Sequence, residues 1–390
     1  LGSTFQWPLY TAREALLDSG YLNRAEVLEK CGLVLGNLSF PTRESNHLIL
    51  PIYQKALQKL MREALGGPEF SLHSFCTKKN VAWENSHISG LPASIVAQSL
   101  GLSSCRFAID SACASSLYAV TLACNYLSGE QTDMMLAGAV SAADPFFVNM
   151  GFSIFQAYPE PDERSNPLDN NSGGLYASQG AGMFVLKRLA DAQRDGDKIH
   201  AIISGAGLSN VGRGQFVLSP NSKGQLLAFE RAYNSIGVEK GQIDYIECHA
   251  TGTPLGDKVE LDSMEKFFAS ELTVEKKKTK PLIGSVKSNL GHMLTAAGMG
   301  GMTKVILSLQ QGKIPATVGV IEPMISKNSG ISSKQIVQQA IEWPNKKSER
   351  KAAVSAFGFG GTNAHIVFEA EKRGEKKSGQ KNTPAKNNPH

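Results

Sequence analysis

The chain has 390 residues, 42% of them hydrophobic, and a net charge of +5, enough for one large or two medium α/β domains with a sizeable core. Its six cysteines (Cys31, Cys76, Cys105, Cys113, Cys124 and Cys248) form no CxxC pair, which argues for a reducing compartment and against structural zinc. No basic stripe interleaves with aromatics, no apolar run reaches membrane-spanning length and the N-terminus lacks a signal-peptide pattern, so the expectation is a cytoplasmic protein that does not bind nucleic acid.

In chain order, YTAREALLDSGYL predicts a helix, CGLVLGNLSF a strand, LPASIVAQSLGL a helix and RFAID a strand. The segment around Cys113 reads as a helix, with Leu117, Val120, Cys124 and Leu127 at helical spacing. MMLAGAVSA and AGMFVLKRL read as strands, separated by YPEPDERSNPLDNNSGG, whose Pro, Asn, Asp and Gly content predicts a long surface loop. A second round follows: the strand IHAIISGAGLSN, the helix KGQLLAFERAYNSIG, the strand IDYIECHA, a helix over Lys258–Phe268, the strand PLIGSV and a long helix over Leu294–Gln311. VEKKKTK reads as an exposed excursion, and AAVSAFGFGG and NAHIVFEA as paired closing strands. The two rounds share an order of elements without a sequence repeat, which suggests halves at 1–195 and 196–370. Much of the positive excess falls in the final stretch, 371–390, which has no apolar periodicity and reads as a flexible tail or linker.

Four stretches place reactive or donor groups at predicted strand ends. In AIDSACASSLYAV, Cys113 lies where a strand gives way to a helix; a helix N-terminus favours thiolate, although an isolated cysteine among apolar residues is commonly core. In IECHATGTPLGDKVE, a strand delivers His249 into a turn of Thr and Gly residues (Thr251, Gly252, Thr253) that permits close approach to the backbone. In GSVKSNLGHMLTAAG, Lys287 and Asn289 occupy a turn and His292 precedes a helix whose Ala and Gly residues allow a close helix contact; a lysine ahead of such a buried segment needs a partner. SAFGFGGTNAH reads as a hairpin turn, either a plain one with two core phenylalanines or a flexible backbone presenting N–H groups beside a mobile aromatic ring. One cysteine and two histidines fit a nucleophile with helpers. From spacing alone, a cysteine protease, a two-donor site for a developing oxyanion and a metal site all remain open.

DSACASS, ECHATGTPLGD, GSVKSNLGH and FGFGGTNAH, in this order, resemble the four signatures of β-ketoacyl synthases, the condensing enzymes of fatty acid and polyketide synthesis. CGLVLGNLSFPTRESNHLILPIY, AVSAADPFFVNMGFSIFQAYP and SPNSKGQ narrow the likeness to ketosynthase domains of polyunsaturated fatty acid synthases, in particular to the subunit with an acyltransferase and tandem carrier domains. The resemblance implies a thiolase-like α/β fold, two βαβαβ halves in layers, and a homodimer. It implies that Cys113 takes an acyl chain from the phosphopantetheine arm of an acyl carrier protein, that His249 and His292 assist decarboxylation of a malonyl carrier, and that no cofactor or metal is bound. The Cys113 and Phe359 N–H groups would form an oxyanion hole, with Phe359 also a gate, and Lys287 would hold the site through Glu260. Thr251, Thr253, Asp257, Asn289, Gly358 and Gly360 would support the site, and Phe152, Phe155 and Phe216 are candidates to line an acyl tunnel. Two departures stand out: Gln179 in SQGAG replaces an acid, with a structural change expected there, and the opening strand and about sixty or more residues that precede the first helix in the family have no counterpart. A coenzyme A thiolase and a non-catalytic chain-length-factor partner are the alternative readings. The second lacks the nucleophile that Cys113 supplies.

Overall fold

The computed structural model describes residues 1–65, 71, 80–212, 219–234, 239–269 and 280–371. The expectations for VEKKKTK (but for Lys280), for Phe216 and for all but the first residue of the 371–390 tail lie outside them.

The elements run α1 (Ser3–Asp18), α2 (Ala25–Leu28), β1 (Cys31–Asn37), α3 (Arg43–Leu65), α4 (Leu91–Leu100), β2 (Arg106–Ile109), α5 (Ser115–Ser128), β3 (Met134–Ser141), α6 (Pro145–Ile154), β4 (Gly180–Leu186) and α7 (Leu189–Asp195). They continue with β5 (Ile202–Asn210), α8 (Ser222–Asn234), β6 (Tyr245–Glu247), α9 (Pro254–Ala269), β7 (Leu282–Gly284), α10 (Lys287–Leu290), α11 (Ala297–Gln311), β8 (Lys313–Ile314), β9 (Ile341–Glu342), β10 (Lys351–Gly358) and β11 (Thr362–Glu369).

The first sheet has the order β2-β1-β3-β4 and the second β5-β11-β10-β6-β7. In the first, β1 runs parallel to β2 and β3 while β4 is antiparallel to β3. In the second, β6 runs parallel to β7 and β10 while β11 is antiparallel to β10. Thus β2, β1, β3 and β4 match β7, β6, β10 and β11 in order and direction, and the duplication expected from the element order is present in the topology. β5, antiparallel to β11, has no counterpart beside β4 among the described residues.

Side-chain alternation builds the layers. Along β3, Met135, Ala137 and Ala139 point into a cluster with Val120 and Ala123 of α5, Met302 and Val305 of α11, and Ala352, Val354 and Ile366 of the second sheet. Met134, Leu136 and Val140 point the other way, onto α1 and α4. Ala353 and Val367 likewise turn outward onto α8 and α9, with Phe229 and Leu261. Five layers result, helices–sheet–helices–sheet–helices, with α5 and α11 sealed in the middle. Strands covered on both faces need continuous apolar runs, as β1 and β3 have. The expected close contact of α11 is present at Gly298, where a Cβ would run into Leu117 and Ser116.

Two expectations change. YPEPDERSNPLDNNSGG is not a surface loop throughout: Leu168, Asp169 and Ser172 are buried, because Asp257 Oδ2 accepts from the Leu168 N–H at 2.9 Å and Ser172 Oγ donates to the Gly252 carbonyl at 2.5 Å, while Asn170 and Asn171 stay exposed. Lys287 and Asn289 sit on the single-turn helix α10 rather than in an irregular turn. The helix α3, left unassigned by pattern reading, buries only Ser45 and exposes Ile52, Tyr53, Leu57 and Leu60.

Candidate active site

The strand ends of both halves meet at one place. Cys113 follows β2 but precedes α5, whose first residue is Ser115. The connection is a sharp elbow: Asp110 Oδ1 accepts from the Ala112 N–H at 2.9 Å, and Ser115 Oγ accepts from the Ser111 N–H at 2.8 Å and donates to the Ala112 carbonyl at 2.6 Å. These bonds hold Ala112 at φ +49°, a left-handed conformation that a residue with a Cβ rarely adopts. Strain at this point lifts the thiol out of the helix toward the second half.

His292 comes from the equivalent position of that half, after β7. Its N–H donates to the Tyr176 carbonyl at 2.7 Å, and its own carbonyl accepts from the Ser178 N–H at 2.9 Å. Gly291, at φ +70°, makes the turn from α10 that this placement requires. His292 Nε2 lies 3.0 Å from Cys113 Sγ. His249 follows β6, its ring centroid 5.4 Å from that of His292 and 5.7 Å from that of Phe357. The structure therefore brings Cys113, His249 and His292 together across 179 residues of sequence.

Burial sets the protonation states. It pushes the Cys113 thiol up to about 12, against the pull of Lys287 and of the Phe359 and Cys113 backbone N–H groups. Burial thus favours the thiol as the resting form in place of the thiolate expected from a helix N-terminus. Burial and the nearby Lys287 charge push His292 down to about 3 and His249 well below its ordinary value. Both rings are neutral at pH 7, and His292 is available as a base. Neither Nδ1 atom has a hydrogen-bond partner among the described residues. The orienting Asn or Asp of a cysteine protease is therefore missing from His292 there.

The His249 turn hangs on two buried carboxyls. Glu260 accepts from the His249 and Ala250 N–H groups, both at 2.8 Å, and Asp257 accepts from Thr251 N–H at 2.9 Å and from Gly252, whose φ is +92°. The hydroxyls of Thr251 and Thr253 meet at 3.1 Å. The expected bridge from Lys287 to Glu260 takes a different form. Lys287 Nζ donates to the Cys248 carbonyl at 3.5 Å, and Glu260 spends its oxygens on backbone, so the two act on each other through space. Asn289 is exposed, its Oδ1 accepting from Ser288 Oγ at 3.0 Å, with no contact to Cys113 among the described residues. Gln179 Nε2 donates to the Ala143 carbonyl at 2.5 Å, tying β4 to the start of α6.

Desolvation raises Asp257 to about 6 and Glu260 to about 7. An acid with a folded pKa above its unfolded value binds its proton more tightly when folded, so its contribution is complete below about pH 4 and is lost as pH rises through 6 to 7. The stability of wild type relative to Glu260→Gln is accordingly expected to fall between pH 4.5 and 8, by on the order of 3 kcal/mol, in urea unfolding at each pH.

The loop after β10 closes the site. Phe359 is 38% exposed, with its ring 6.1 Å from that of the buried Phe152. Phe155, by contrast, is exposed. Thr362 Oγ1 donates to the Ser111 carbonyl at 2.9 Å, locking the loop to the cysteine elbow. At Gly358 a Cβ would stand 2.5 Å from that same carbonyl, whereas Gly360 has open space and is required by its φ of +82°. Gly358→Ala is expected to push loop and elbow apart and slow alkylation of Cys113 by at least about tenfold while shifting the thermal midpoint by a few degrees. Asp257 is among the expected supporting residues, but its bond to Leu168 and the strain at the elbow have no counterpart in the sequence reading, although the short-range Asp110 and Ser115 pattern carries a turn signal.

A cysteine and two histidines meet at the strand ends of a duplicated α/β fold. The chain belongs to the β-ketoacyl synthase family: the N-terminal domain model of that family matches residues 3–192 and the C-terminal domain model residues 200–320. It is 38% identical over 368 residues to one of the polyunsaturated fatty acid synthase subunits of Thraustochytrium sp., covering 93% of this chain and 17% of that protein. Another polyunsaturated fatty acid synthase subunit from the same source is 32% identical over 372 residues, which cover 93% of this chain and 13% of that protein. A solved PfaC keto synthase-chain length factor superposes with a TM-score of 0.88 at 51% identity, over 98% of this chain and 40% of that one. The ketosynthase from module 6 of the bacillaene synthase of Bacillus subtilis 168 gives a TM-score of 0.75 at 30% identity, over 94% and 59%. The chain thus spans about a sixth of the curated relative and two fifths of the first solved one.

Proposed function

We propose that this chain is the ketosynthase domain of a polyunsaturated fatty acid synthase and performs decarboxylative condensation of an acyl group on Cys113 with a malonyl unit. Both groups would arrive on the phosphopantetheine arms of acyl carrier domains. The halves 1–195 and 196–370 act as one unit in this reading. The observation that carries it is the 3.0 Å contact of Cys113 Sγ with a neutral His292 beside a second neutral histidine.

As Sγ attacks the acyl thioester carbon, His292 Nε2 takes the thiol proton and the Cys113 and Phe359 N–H groups receive the oxyanion. Collapse breaks the bond to the carrier sulfur, which leaves with that proton. The malonyl thioester then enters. His249, donating from Nε2, and His292, once solvent has moved its proton from Nδ1 to Nε2, hold its carbonyl oxygen while the bond to the carboxylate breaks and CO2 leaves. The enolate carbon attacks the acyl carbon on Cys113, the oxyanion returns to the same two N–H groups, and the cysteine sulfur leaves. A site of two neutral donors suits an enolate; the base–acid pair of a protease does not.

A second ketosynthase-fold unit, a copy of this chain or a chain length factor, would cover α6. That helix exposes Phe146, Met150 and Ile154, with Phe155 beyond, next to the Phe152–Phe359 mouth, and the solved relative at 51% identity joins a ketosynthase to a chain length factor. No helix among the described residues is long and apolar enough to cross a membrane, and we place the reaction in the cytoplasm. Supplied with acyl and malonyl carrier proteins, the chain is expected to form a β-ketoacyl carrier product with one CO2 per condensation, read by mass spectrometry. Decarboxylation without chain extension would contradict the proposal.

A further inference from the structure

Two residues before His249, the carboxylate of Glu247 is buried at the junction of three elements. Its Oε1 accepts from the Val286 N–H at 2.5 Å, which fixes the residue before Lys287. Its Oε2 accepts from the Tyr245 hydroxyl at 2.7 Å and forms an ion pair with Lys304 Nζ at 2.9 Å. Lys304 lies on α11, the helix that follows His292, is itself buried and lies 5.4 Å from the centroid of the Tyr245 ring. One carboxylate thus joins the strand that leads into His249, the residue that starts the Lys287 helix α10, and the helix beyond His292.

A buried ion pair is a poor source of stability, because desolving two charges offsets most of their attraction and an apolar pair would pack as well. An apolar pair would not accept the Val286 N–H. The location also matters electrically: the Lys287 ammonium acts on Cys113, His249 and His292 alike. Lys287 in turn faces Glu247, Glu260, Cys113 and Cys248, and Asp257 feels its charge. Glu247 is the strongest charge acting on Lys287, and its ion pair with Lys304 offsets part of that pull, which favours the Lys287 ammonium remaining with the reacting groups.

We propose that Glu247 and Lys304 are a positioning pair that fixes the Lys287 ammonium against the Cys113, His249 and His292 groups. This rests on the ketosynthase reading for its catalytic meaning but not for its test. Removing the Lys304 charge would draw Lys287 toward Glu247 and away from the thiol.

The test is the pH profile of Cys113 alkylation by iodoacetamide, a reaction that needs no carrier protein, measured with thermal unfolding on each variant. Lys304→Met is expected to slow alkylation at pH 8 about tenfold and to move the profile up by about one pH unit. Lys304→Arg is expected to keep the wild-type profile. The double variant Glu247→Gln/Lys304→Met, in which charge is again balanced and the Val286 acceptor retained, is expected to recover most of the rate. A merely structural pair would lower the unfolding temperature while leaving the profile of the folded protein in place. A wild-type profile in folded Lys304→Met, or an equal shift in Lys304→Arg, would overturn the proposal; if Lys304→Met does not fold, Glu247→Gln alone must shift the profile for it to stand. A shifted profile in a protein that condenses nothing would remove the ketosynthase reading and leave the positioning pair.

Discussion

Replacing Cys113 with alanine is expected to eliminate acyl loading and condensation while leaving the fold in place. The side chain is small and its sulfur touches His292 at the junction of the two halves, so truncation opens little space and should destabilise by about 1 kcal/mol or less. The chemistry has no substitute. Burial raises other cysteines as well, Cys31 to about 12, Cys124 to about 11 and Cys248 well above its usual value, and none of them has a histidine within hydrogen-bond reach among the described residues. The rate of β-ketoacyl product formation should therefore fall by on the order of a thousandfold or more, to background. Comparing product formation with the thermal midpoint of the same preparation separates loss of the nucleophile from loss of fold.

Removing His292 is expected to have the second largest effect, and its form follows from the protonation states. A thiol near 12 is thiolate in only about one molecule in 10⁵ at pH 7, so loading depends on a base that takes the proton during attack. His292, held near 3, stays unprotonated across the physiological range and its base function does not titrate there. Wild-type loading is therefore expected to be flat from pH 6 to 8. In His292→Ala the rate should drop by about 10² to 10⁴ at pH 7 and then climb roughly tenfold per pH unit, because only hydroxide-generated thiolate remains. Pre-steady-state loading from an acyl thioester at several pH values measures both features. Cys113 Sγ is within hydrogen-bond distance of His292 and not of His249 among the described residues, so His249→Ala should keep loading and lose the decarboxylative step.

Much of this site was legible because its parts lie at strand ends, where apolar runs stop and glycines begin. The residues around Cys113, His249, Lys287 and Phe359 are local patterns of this kind, and the topology that gathers them follows from two rounds of similar elements. What pattern reading missed depends on distant contacts. Leu168 looks like part of a polar surface loop until Asp257, 89 residues later, accepts its N–H. Lys287 carries no sign in its own segment that its neighbour Val286 is held by Glu247. The raised thiol has a related cause: the helix start after Cys113 is visible in sequence, whereas its burial is a property of the packed fold. α3 did carry a sequence signal, since Ile49, Tyr53, Leu57 and Leu60 recur at helical spacing, although most of that stripe is exposed in the fold.

Whether Cys113 is the acyl-accepting nucleophile is decided by incubating the purified chain with a long-chain acyl carrier protein or acyl thioester, digesting it and mapping the acyl mass by peptide sequencing, beside the Cys113→Ala variant. The expected result is one acyl group per chain, confined to the peptide that contains Cys113 and absent from the variant. An acyl group on another residue, or no adduct from a chain shown to be folded, would contradict that role.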